Sequence, residues 1–567
     1  MKHSYRKQLD VNNRMNILVF VFFVFCMNSI FAQQNLPLNR EWNVWNVGMC
    51  VKIGENHDEP PTINLKCIPA AVSAFYPIIA PVSFQQKDKS INWFVRKFKR
   101  ESLIIVNDTA DKFHLTIDPL FNFQYGKDLA DKKDEKLYTN TRGFLVRGSI
   151  GQKFAFESSF YENQATFPQY IDTYIATTNK LFPQQANYIY NVIPGQGRSK
   201  AFRVHGYDYA MASGYISYSP NKIVNIQLGN GKNFVGDGYR SLLLSDNAFN
   251  YPYARITTTY KNFQYTNLYT SFMNLTDGGV QTPPHTERLF QKKVGSFQFA
   301  SINLFHHLQL GLFQGMIWQA ADSMNKQHVN FNTFDPVIGV NTAVYGLHNT
   351  NNILWGLTGK LKVTNSISLY GQYMLDDVYS KSNGGDISKK SGYQVGFKYY
   401  NLFTVKNLHL QVEYNTVRPY AYSSENQNQS YTHYNQALAH PLGANFQELV
   451  GFINYRIADF FIQIQGNYII KGNDSAAFNY GGDVFKSSGS FPIAQQQQLQ
   501  DIQTTQGVKS TIMYEDIHIG YLLNPSTNFN IIAGVTNRTE QTFKGTTNTQ
   551  MVYLGIRTSL ANLYYDF

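Results

Sequence analysis

The feature that most constrains this chain is an alternation of apolar and polar residues that recurs along most of its length. In LHLQVEY (408–414) every second residue is apolar, and the residues between them are His, Gln and Glu. The segments VNIQL (224–228), ISLYGQY (367–373) and FIQIQGNY (461–468) repeat the pattern. Successive side chains of a β-strand point to opposite faces. Each segment therefore predicts a strand with one apolar and one polar face.

Alternating runs of about 8–14 residues recur along the chain, and Asn, Asp, Gly or Pro bounds them. Transmembrane β-strands have this length, with apolar side chains toward lipid and polar side chains toward the lumen. A soluble β-sandwich also alternates, because one face of each sheet meets water. The pattern alone leaves both folds open.

Three features favour the membrane. The strands follow one another without a break into smaller units, and aromatic residues make up 15% of the chain, as expected for interfacial girdles. The sequence also ends in LYYDF (563–567), with Leu563, Tyr565 and Phe567 on one face of a predicted strand. A C-terminal aromatic residue that closes an amphipathic strand resembles the signal that the barrel-assembly machinery recognises. Val552 and Phe567 have opposite parity, so a bulge or turn is expected near 559–562. We predict an all-β fold: a transmembrane antiparallel outer-membrane β-barrel of about 18 strands with short helical plug or loop insertions.

The first 32 residues have the order of a secretory signal peptide. Four basic residues precede the apolar run 17–27, and small residues lead to Ala32. An apolar run of this length is too short for a transmembrane helix, which needs about 20 residues. We expect residues 1–32 to be a signal peptide, 33–89 an N-terminal periplasmic or plug extension, and 90–567 the barrel, in the outer membrane of a Gram-negative bacterium.

The charge of the chain argues against nucleic acid as a partner. The formal net charge is +11, but charged residues are only 15% of the chain and are scattered. Nucleic-acid binding requires a clustered basic surface, and an exported chain meets little nucleic acid. Outer-membrane lipid is the partner that the composition favours.

The predicted extension contains Cys50 and Cys67, the two cysteines that remain after removal of the signal peptide. Because the periplasm is oxidising, we predict a disulfide between them. Thiol labelling of the denatured, unreduced mature protein is expected to find no free sulfhydryl. Two labelled cysteines would refute the pairing.

Two segments have helical rather than strand spacing. INWFVRKFKRE (91–101) predicts a basic amphipathic helix, either on a membrane surface or at the periplasmic mouth of the barrel. QYIDTYIATTNKLFPQQANYIY (169–190) predicts a helical excursion outside the wall or within the lumen. The Gln-rich stretch 494–506 is expected to be a solvated loop.

A glycine-rich segment, LGNGKNFVGDGYRSLLLSDNAFNYPYARI (228–256), resembles a phosphate-binding loop at first sight. A Walker motif requires Ser or Thr after the lysine, but Asn233 follows Lys232, and the third glycine of a dinucleotide motif is missing. Glycines also permit positive φ angles and close backbone packing. We predict that the segment folds inward and narrows the lumen. The charged residues expected to pair there are Lys232, Asp237, Arg240, Asp246 and Arg255.

Signals of catalysis are weak, and no cofactor or metal site is expected. His306 and His307 are neighbours, so on a strand they would point to opposite faces. SNGG (382–385) resembles part of the serine motif of outer-membrane phospholipases, but Ser380 stands where that motif has its histidine. We predict that the protein is not an enzyme.

The glycine-rich segment also carries a resemblance to a known family. Together with LTIDPLFNFQYGKD (115–128), TRGFLVRGSIGQKFAFESSFYENQ (141–164) and THYNQALAHPLGANFQE (432–448), it resembles the Wzi-like capsule-assembly family in its Bacteroidota branch. This branch includes proteins similar to RemB of gliding motility, whose N-terminus resembles LPLNREW (36–42). The resemblance covers roughly residue 90 to the C-terminus.

The resemblance implies an outer-membrane barrel that binds or organises surface polysaccharide. Tyr-rich and Asn-rich loops suit this role, because aromatic rings stack on sugars and amides bind hydroxyl groups. The same composition is common in exposed loops without a ligand. Alternatives are an accessory of gliding motility or secretion, and a diffusion porin. The candidate glycan-contacting residues in the loop 420–436 are Tyr420, Tyr422, Tyr431, His433 and Tyr434.

Overall fold

A computed structural model describes residues 32–40, 44, 74–81, 92–108, 110–132, 135–178, 191–275, 290–305, 307–320, 334–345, 351–376, 390–489 and 502–567. Cys50, Cys67 and the predicted signal peptide apart from Ala32 lie outside these residues. The disulfide and the signal peptide therefore stay predictions.

The described residues form a closed antiparallel barrel of 18 strands. Each strand pairs with the next along the chain, and the ring closes where residues 551–557 of the last strand pair with residues 122–128 of the first. The prediction of an outer-membrane barrel of about 18 strands is confirmed. The strands are β1 (Phe113–Asp128), β2 (Lys136–Ile150), β3 (Phe154–Thr166), β4 (Gly206–Tyr218), β5 (Val224–Gly231), β6 (Tyr251–Tyr260), β7 (Phe263–Asn274), β8 (Gln291–Leu304), β9 (Leu308–Gln319), β10 (Asn352–Lys362), β11 (Ile367–Asp376), β12 (Ser391–Tyr400), β13 (Leu408–Val417), β14 (Phe446–Ile457), β15 (Phe460–Asn473), β16 (Val508–Asn524), β17 (Phe529–Thr542) and β18 (Gly545–Arg557).

The alternation of the sequence separates the two faces of the wall. On β14, Leu449 and Ile453 are exposed on the outside, whereas Glu448 and Val450 are fully buried inside. In LHLQVEY the three polar residues are buried and face the lumen. The outer face is therefore a lipid-facing belt of apolar side chains, as expected for an outer-membrane barrel. No helix in the described part of the chain is long and apolar enough to span a membrane.

The two ends of the barrel differ in their connections. The connections after the even-numbered strands are short turns, whereas most of those after the odd-numbered strands are long. In outer-membrane barrels the short turns face the periplasm and the long loops face outward. The described residues of the short turns are 151–153, 219–223, 261–262, 305, 307, 363–366, 401–407, 458–459 and 525–528.

Three α-helices lie among the described residues: α1 (Trp93–Lys99), α2 (Gln169–Thr178) and α3 (Val340–Tyr345). They are accompanied by the short strands Gln33–Asn35, Phe75–Tyr76, Ile79–Pro81, Ile104–Asp108, Asn191–Val192, Arg198–Phe202, Phe234–Val235, Thr432–His433 and Gln436–Ala437, and by the 3-10 turns Leu402–Thr404 and Gln427–Gln429. Helix α2 matches the first half of the predicted helical stretch 169–190, and residues 179–190 lie outside the described part.

Helix α1 lies at the short-turn end, on the outer side of the wall. The amide of Asn524, at the end of β16, donates to the carbonyl oxygens of Lys97 and Glu101, each at 3.0 Å. The ring of Phe98 lies 5.2 Å from that of Phe529, a residue of β17. The prediction of a helix in this stretch is confirmed, and its place is the periplasmic rim beside the lipid-facing belt.

The C-terminal segment corrects one expectation. LYYDF (563–567) was expected to close the barrel as an amphipathic strand, but the last strand ends at Arg557 and residues 558–567 are not in a strand. Tyr564, Asp566 and Phe567 are buried in the interior. The opposite parity of Val552 and Phe567 reflects this departure from the wall, rather than a bulge within one strand.

Candidate functional site

The connection between β5 and β6, residues 232–250, folds into the lumen. We call it the plug loop. The residues that flank it, Gly231 and Tyr251, are register partners on neighbouring strands. Residues 242–244, three leucines, are completely buried. The loop therefore leaves and rejoins the wall at one place while its middle part is enclosed.

The plug loop crosses the lumen to the wall opposite. The side chain of Gln372 on β11 accepts from Leu242 N at 2.8 Å and donates to Val235 O at 2.8 Å. Gln394 on β12 donates to Arg240 O at 3.0 Å. Buried backbone groups need such partners, and lumen-facing amides of the wall supply them.

One glycine of the plug loop and one glycine of the wall show how closely the two pack. Gly236 has a φ of 131°, and a Cβ atom there would collide with the amide of Gln372. On the wall, a Cβ atom at Gly356 would collide with the side chain of Leu243. The glycines thus allow a positive φ and close packing across the lumen, and no phosphate site is needed to account for them.

Arg240 is the centre of a buried charge cluster. Its guanidinium lies 3.0 Å from Glu448 Oε1 on β14 and 3.0 Å from Asp566 Oδ1 in the C-terminal segment. It also lies over the rings of Tyr239 and Tyr564, at 4.5 and 5.1 Å. The side chains of Arg240 and Glu448 have no exposed surface. A single cation thus joins the plug loop, the wall and the end of the chain.

Glu448 also binds His440, from the long connection 418–445. Leu442 N donates to His440 Nδ1 at 3.2 Å, so the ring proton resides on Nε2 and is donated to Glu448 Oε2 at 2.8 Å. Burial lowers the pKa of His440, and the charge of Glu448 offsets part of that shift. The histidine is a neutral donor in this cluster.

A second carboxylate, Glu413 on β13, binds the backbone of the plug loop. Its two oxygens accept from Tyr239 N at 2.7 Å and Arg240 N at 3.1 Å. The hydroxyl of Tyr370 and the amide of Asn415 donate to the same carboxylate, at 2.9 and 2.8 Å. Glu413 therefore fixes the turn that carries Arg240.

Asp237 pairs with a lysine of the wall rather than with another loop residue. Its Oδ1 lies 2.7 Å from Lys360 Nζ, and the lysine side chain is 40% exposed. Burial raises the pKa of Asp237, but the charges of Lys360 and Lys398 more than offset this, so the pKa lies below its usual value.

Lys232 and Asp246 are both engaged, but not through an ion pair. Lys232 Nζ donates to Gly195 O at 2.8 Å and to Asp246 O at 3.0 Å. Burial lowers the pKa of Lys232 to about 8, and the charge of Asp246 opposes this shift. The Asp246 carboxylate accepts from Tyr564 at 2.7 Å and Asn562 at 2.9 Å.

Arg255 lies on β6 and faces the lumen. It donates to the side-chain oxygens of Asn35 and Gln227, each at 2.7 Å, and to Asn233 at 3.2 Å. Asn35 belongs to the predicted N-terminal extension, so this arginine holds an early part of the chain against the wall. The partners are neutral amides, so Arg255 stands apart from the Arg240 cluster.

Segments from both ends of the chain meet in the lumen. Asn39 Nδ2 donates to Leu560 O at 2.8 Å, and Arg40 N donates to Asn562 Oδ1 at 2.9 Å. The guanidinium of Arg40 lies 3.2 Å from the centre of the Phe452 ring. Burial lowers the pKa of Arg40. Residues 33–40 and 74–81 of the predicted extension thus contribute to the filling of the barrel.

The stretch proposed as an exposed glycan-contacting loop lies mostly inside, so the prediction of exposed rings there is wrong for four residues. Tyr422 and Tyr431 donate to Leu242 O and Leu243 O of the plug loop, at 2.8 and 2.6 Å. His433 accepts from Met273 N at 3.0 Å. Buried aromatic rings offer no face to a sugar. The side chains of Tyr420, Tyr422, Tyr431 and His433 are buried, and that of Tyr434 is partly buried.

The arrangement as a whole is a filled lumen whose polar groups bind one another. Among the described residues no group of three or more His, Cys, Asp or Glu could hold a metal ion. Sequence reasoning missed Glu413, Glu448, His440, Asp566 and Arg40. A signal for two of them existed: Glu413 and Glu448 occupy lumen-facing positions of alternating strands, where an acid needs a partner.

Comparisons with known proteins find similarity to solved structures at low sequence identity. No protein-family model matches the chain, and no curated protein matches it. The chain is similar to Wzi of Escherichia coli, described as an outer membrane protein involved in group 1 capsule assembly and a carbohydrate-binding β-barrel; identity is 12%, coverage 78% of this chain and 85% of that chain, and the TM-score 0.46. It is also similar to OprD of Pseudomonas aeruginosa, with 10% identity, coverage of 80% of this chain and 95% of that chain, and a TM-score of 0.40. A third similar structure is OccAB2 of Acinetobacter baumannii, with 9% identity, coverage of 78% of this chain and 97% of that chain, and a TM-score of 0.39. Values this low do not distinguish among the functions of these proteins.

Proposed function

We propose that this protein binds or organises polysaccharide at the outer face of the outer membrane. The observation that carries the proposal is the filled lumen. A barrel of this size otherwise leaves an aqueous channel, but here the plug loop spans the lumen and hydrogen-bonds to the opposite wall. The long-loop rim is then the part of the barrel that remains to act on the outside.

The chemistry of that rim supports the proposal. Asn426 and Gln427 are exposed, and Phe478, Asn479 and Tyr480 are partly exposed. The two groups belong to one surface, because Tyr420 donates to Asn479 O at 2.7 Å and Ser487 donates to Glu425 O at 2.7 Å. We call Asn426, Gln427, Phe478, Asn479 and Tyr480 the rim patch. Amides beside partly exposed rings provide hydrogen bonds and an apolar face for a sugar.

The test is binding of surface polysaccharide, extracted from the source strain, to the purified protein in detergent. Phe478→Ala with Tyr480→Ala is expected to weaken binding by about tenfold or more, because aromatic anchors carry most of the binding energy in such sites. Phe403→Ala is the matched control, since Phe403 is an exposed ring at the opposite, short-turn end. A wild-type protein without affinity for this polysaccharide would contradict the proposal.

The resemblance to RemB-like proteins supports a competing role, an accessory of gliding motility or secretion. Deletion of the gene separates the two roles. Loss of retained surface polysaccharide with normal gliding supports the proposal, and loss of gliding with normal polysaccharide supports the competitor.

A further inference from the structure

The lipid-facing belt changes character on β7, β8 and β9. Near the short turns it is apolar and exposed: Phe263, Ile302 and Leu310 face outward. Farther along the same face, Gln298 and Gln314 are register partners, and each is only 1% exposed. Polar side chains on the lipid face of a barrel are unfavourable. Something must cover these glutamines on the outside.

The cover is residues 334–345, part of the long connection between β9 and β10, and we call it the strap. Gln298 Nε2 donates to Asp335 O at 3.1 Å. Gly339 N donates to Gln314 Oε1 at 2.5 Å, and Gln314 Nε2 donates to the Thr342 hydroxyl at 3.4 Å. Both outward-facing glutamines therefore bind the strap.

Two tyrosines of β7 also form hydrogen bonds with the strap. Tyr269 donates to Phe334 O at 3.1 Å. The hydroxyl of Tyr265 donates to Pro336 O at 2.7 Å and accepts from Ile338 N at 2.9 Å. Tyr265 is only two residues into β7, next to the short turn 261–262. The strap thus runs along the outer wall from the long-loop end nearly to the periplasmic end.

The outward side of the strap is apolar. Phe334, Val337 and Val340 are 39%, 55% and 37% exposed. The ring of Phe334 packs at 5.5 Å on Tyr269 and at 6.3 Å on Trp318. The exposed surface of the strap is therefore apolar, like the lipid-facing belt beside it. The Asp335 carboxylate accepts from Val337 N at 2.9 Å, so it is engaged within the strap.

We propose that the strap is embedded in the membrane and takes lipid acyl chains on its outer face. Non-helical backbone survives at membrane depth only where the protein satisfies its polar groups. The carbonyl oxygens of residues 334–336 and the amides of Ile338 and Gly339 all have side-chain partners on the wall. Tyr265, Tyr269, Gln298 and Gln314, which we call the polar row, hold this lipid-facing segment against the wall although it is not a strand.

The test measures the surroundings of a nitroxide label at Val337→Cys, in protein whose Cys50 and Cys67 are replaced by serine, in vesicles of phosphatidylethanolamine and phosphatidylglycerol. High collision with oxygen and low collision with a water-soluble nickel chelate are expected, as for Ile302→Cys on the belt. The label at Asn426→Cys on the rim should show the opposite. Nickel accessibility at residue 337 equal to that at 426 would place the strap in water and overturn the proposal. Low accessibility to both reagents would mean that protein, such as a second copy, covers the strap, and would overturn lipid as its partner.

A second variant tests the polar row. Gln298→Leu with Gln314→Leu removes the strap's amide partners without adding charge to the lipid face. The label at residue 337 is expected to become more mobile, with narrower spectral lines, while the barrel stays folded. Gln309→Leu, a lumen-facing change on the same strand, is the matched control. Unchanged mobility in the double variant would show that these side chains do not hold the strap.

Discussion

Replacement of the plug loop by a two-residue Asn-Gly turn is expected to convert a barrel that conducts little in planar bilayers into an open channel, with at least about a tenfold rise in conductance. The design follows from the register: Gly231 and Tyr251 are partners, so a tight hairpin turn can join them once residues 232–250 are removed. The loop spans the lumen, so its removal leaves water in its place.

Lys544→Ala is the control for this measurement. Lys544 lies in the exposed turn 543–544, at the same end of the barrel as the plug loop. The conductance of the Lys544→Ala protein should therefore match that of the wild type. A wild-type protein that already conducts as a wide channel would mean that the plug loop blocks nothing. That outcome would favour a diffusion porin over a polysaccharide-binding barrel.

Arg240→Ala is expected to destabilise the folded barrel by about 3–5 kcal/mol, because it leaves buried carboxylates without their cation. Glu448 and Asp566 both lie within 3.0 Å of this guanidinium. The measurement is the temperature at which the compact, heat-modifiable band on a gel gives way to the unfolded band, and the variant should unfold at a clearly lower temperature.

Lys486→Ala is the matched control, since its pair with Asp474 has a lysine side chain that is 44% exposed. Exposed pairs contribute about 0–1 kcal/mol, so the unfolding temperature should hardly move. Combining Arg240→Met with Glu448→Gln should be less harmful than the sum of the two changes, because the residues are coupled. Additive effects would contradict a direct interaction in the cluster.

The barrel could be predicted from the sequence because lipid and lumen impose a two-residue period on each strand. LHLQVEY was assigned to a strand with its polar residues inward, and the structure has this arrangement. The same local pattern could not reveal where a non-strand segment goes. Tyr422 and Tyr431 lie in a polar, Tyr-rich and Asn-rich stretch that is typical of a surface loop. They are nevertheless buried, and their hydroxyl groups donate to backbone carbonyl oxygens of the plug loop.

The charged residues of the plug loop show the same limit of prediction from local sequence. Arg240 and Asp237 could be identified in sequence as groups that need partners in a lumen. Their partners, Glu448 and Lys360, are more than a hundred residues away on other strands, and no local spacing connects them. The sequence contains a weak indication of the strap, because Gln298 and Gln314 occupy outward-facing positions of β8 and β9 that are otherwise expected to be apolar.

The meeting of residues 32–40 and 558–567 inside the barrel constrains the order in which the molecule can be built. The segment after β18 contacts the segment that precedes β1, and Arg240 between them binds Asp566. A fully sealed cylinder would offer no side entrance for threading these segments afterwards. β18 ends and β1 begins at the short-turn end of the barrel, so these segments enter the lumen either through an end of the cylinder or before the ring of strands closes. Phe567 is buried in the finished molecule, so it is accessible to an assembly factor only before the C-terminal segment has taken its place in the lumen.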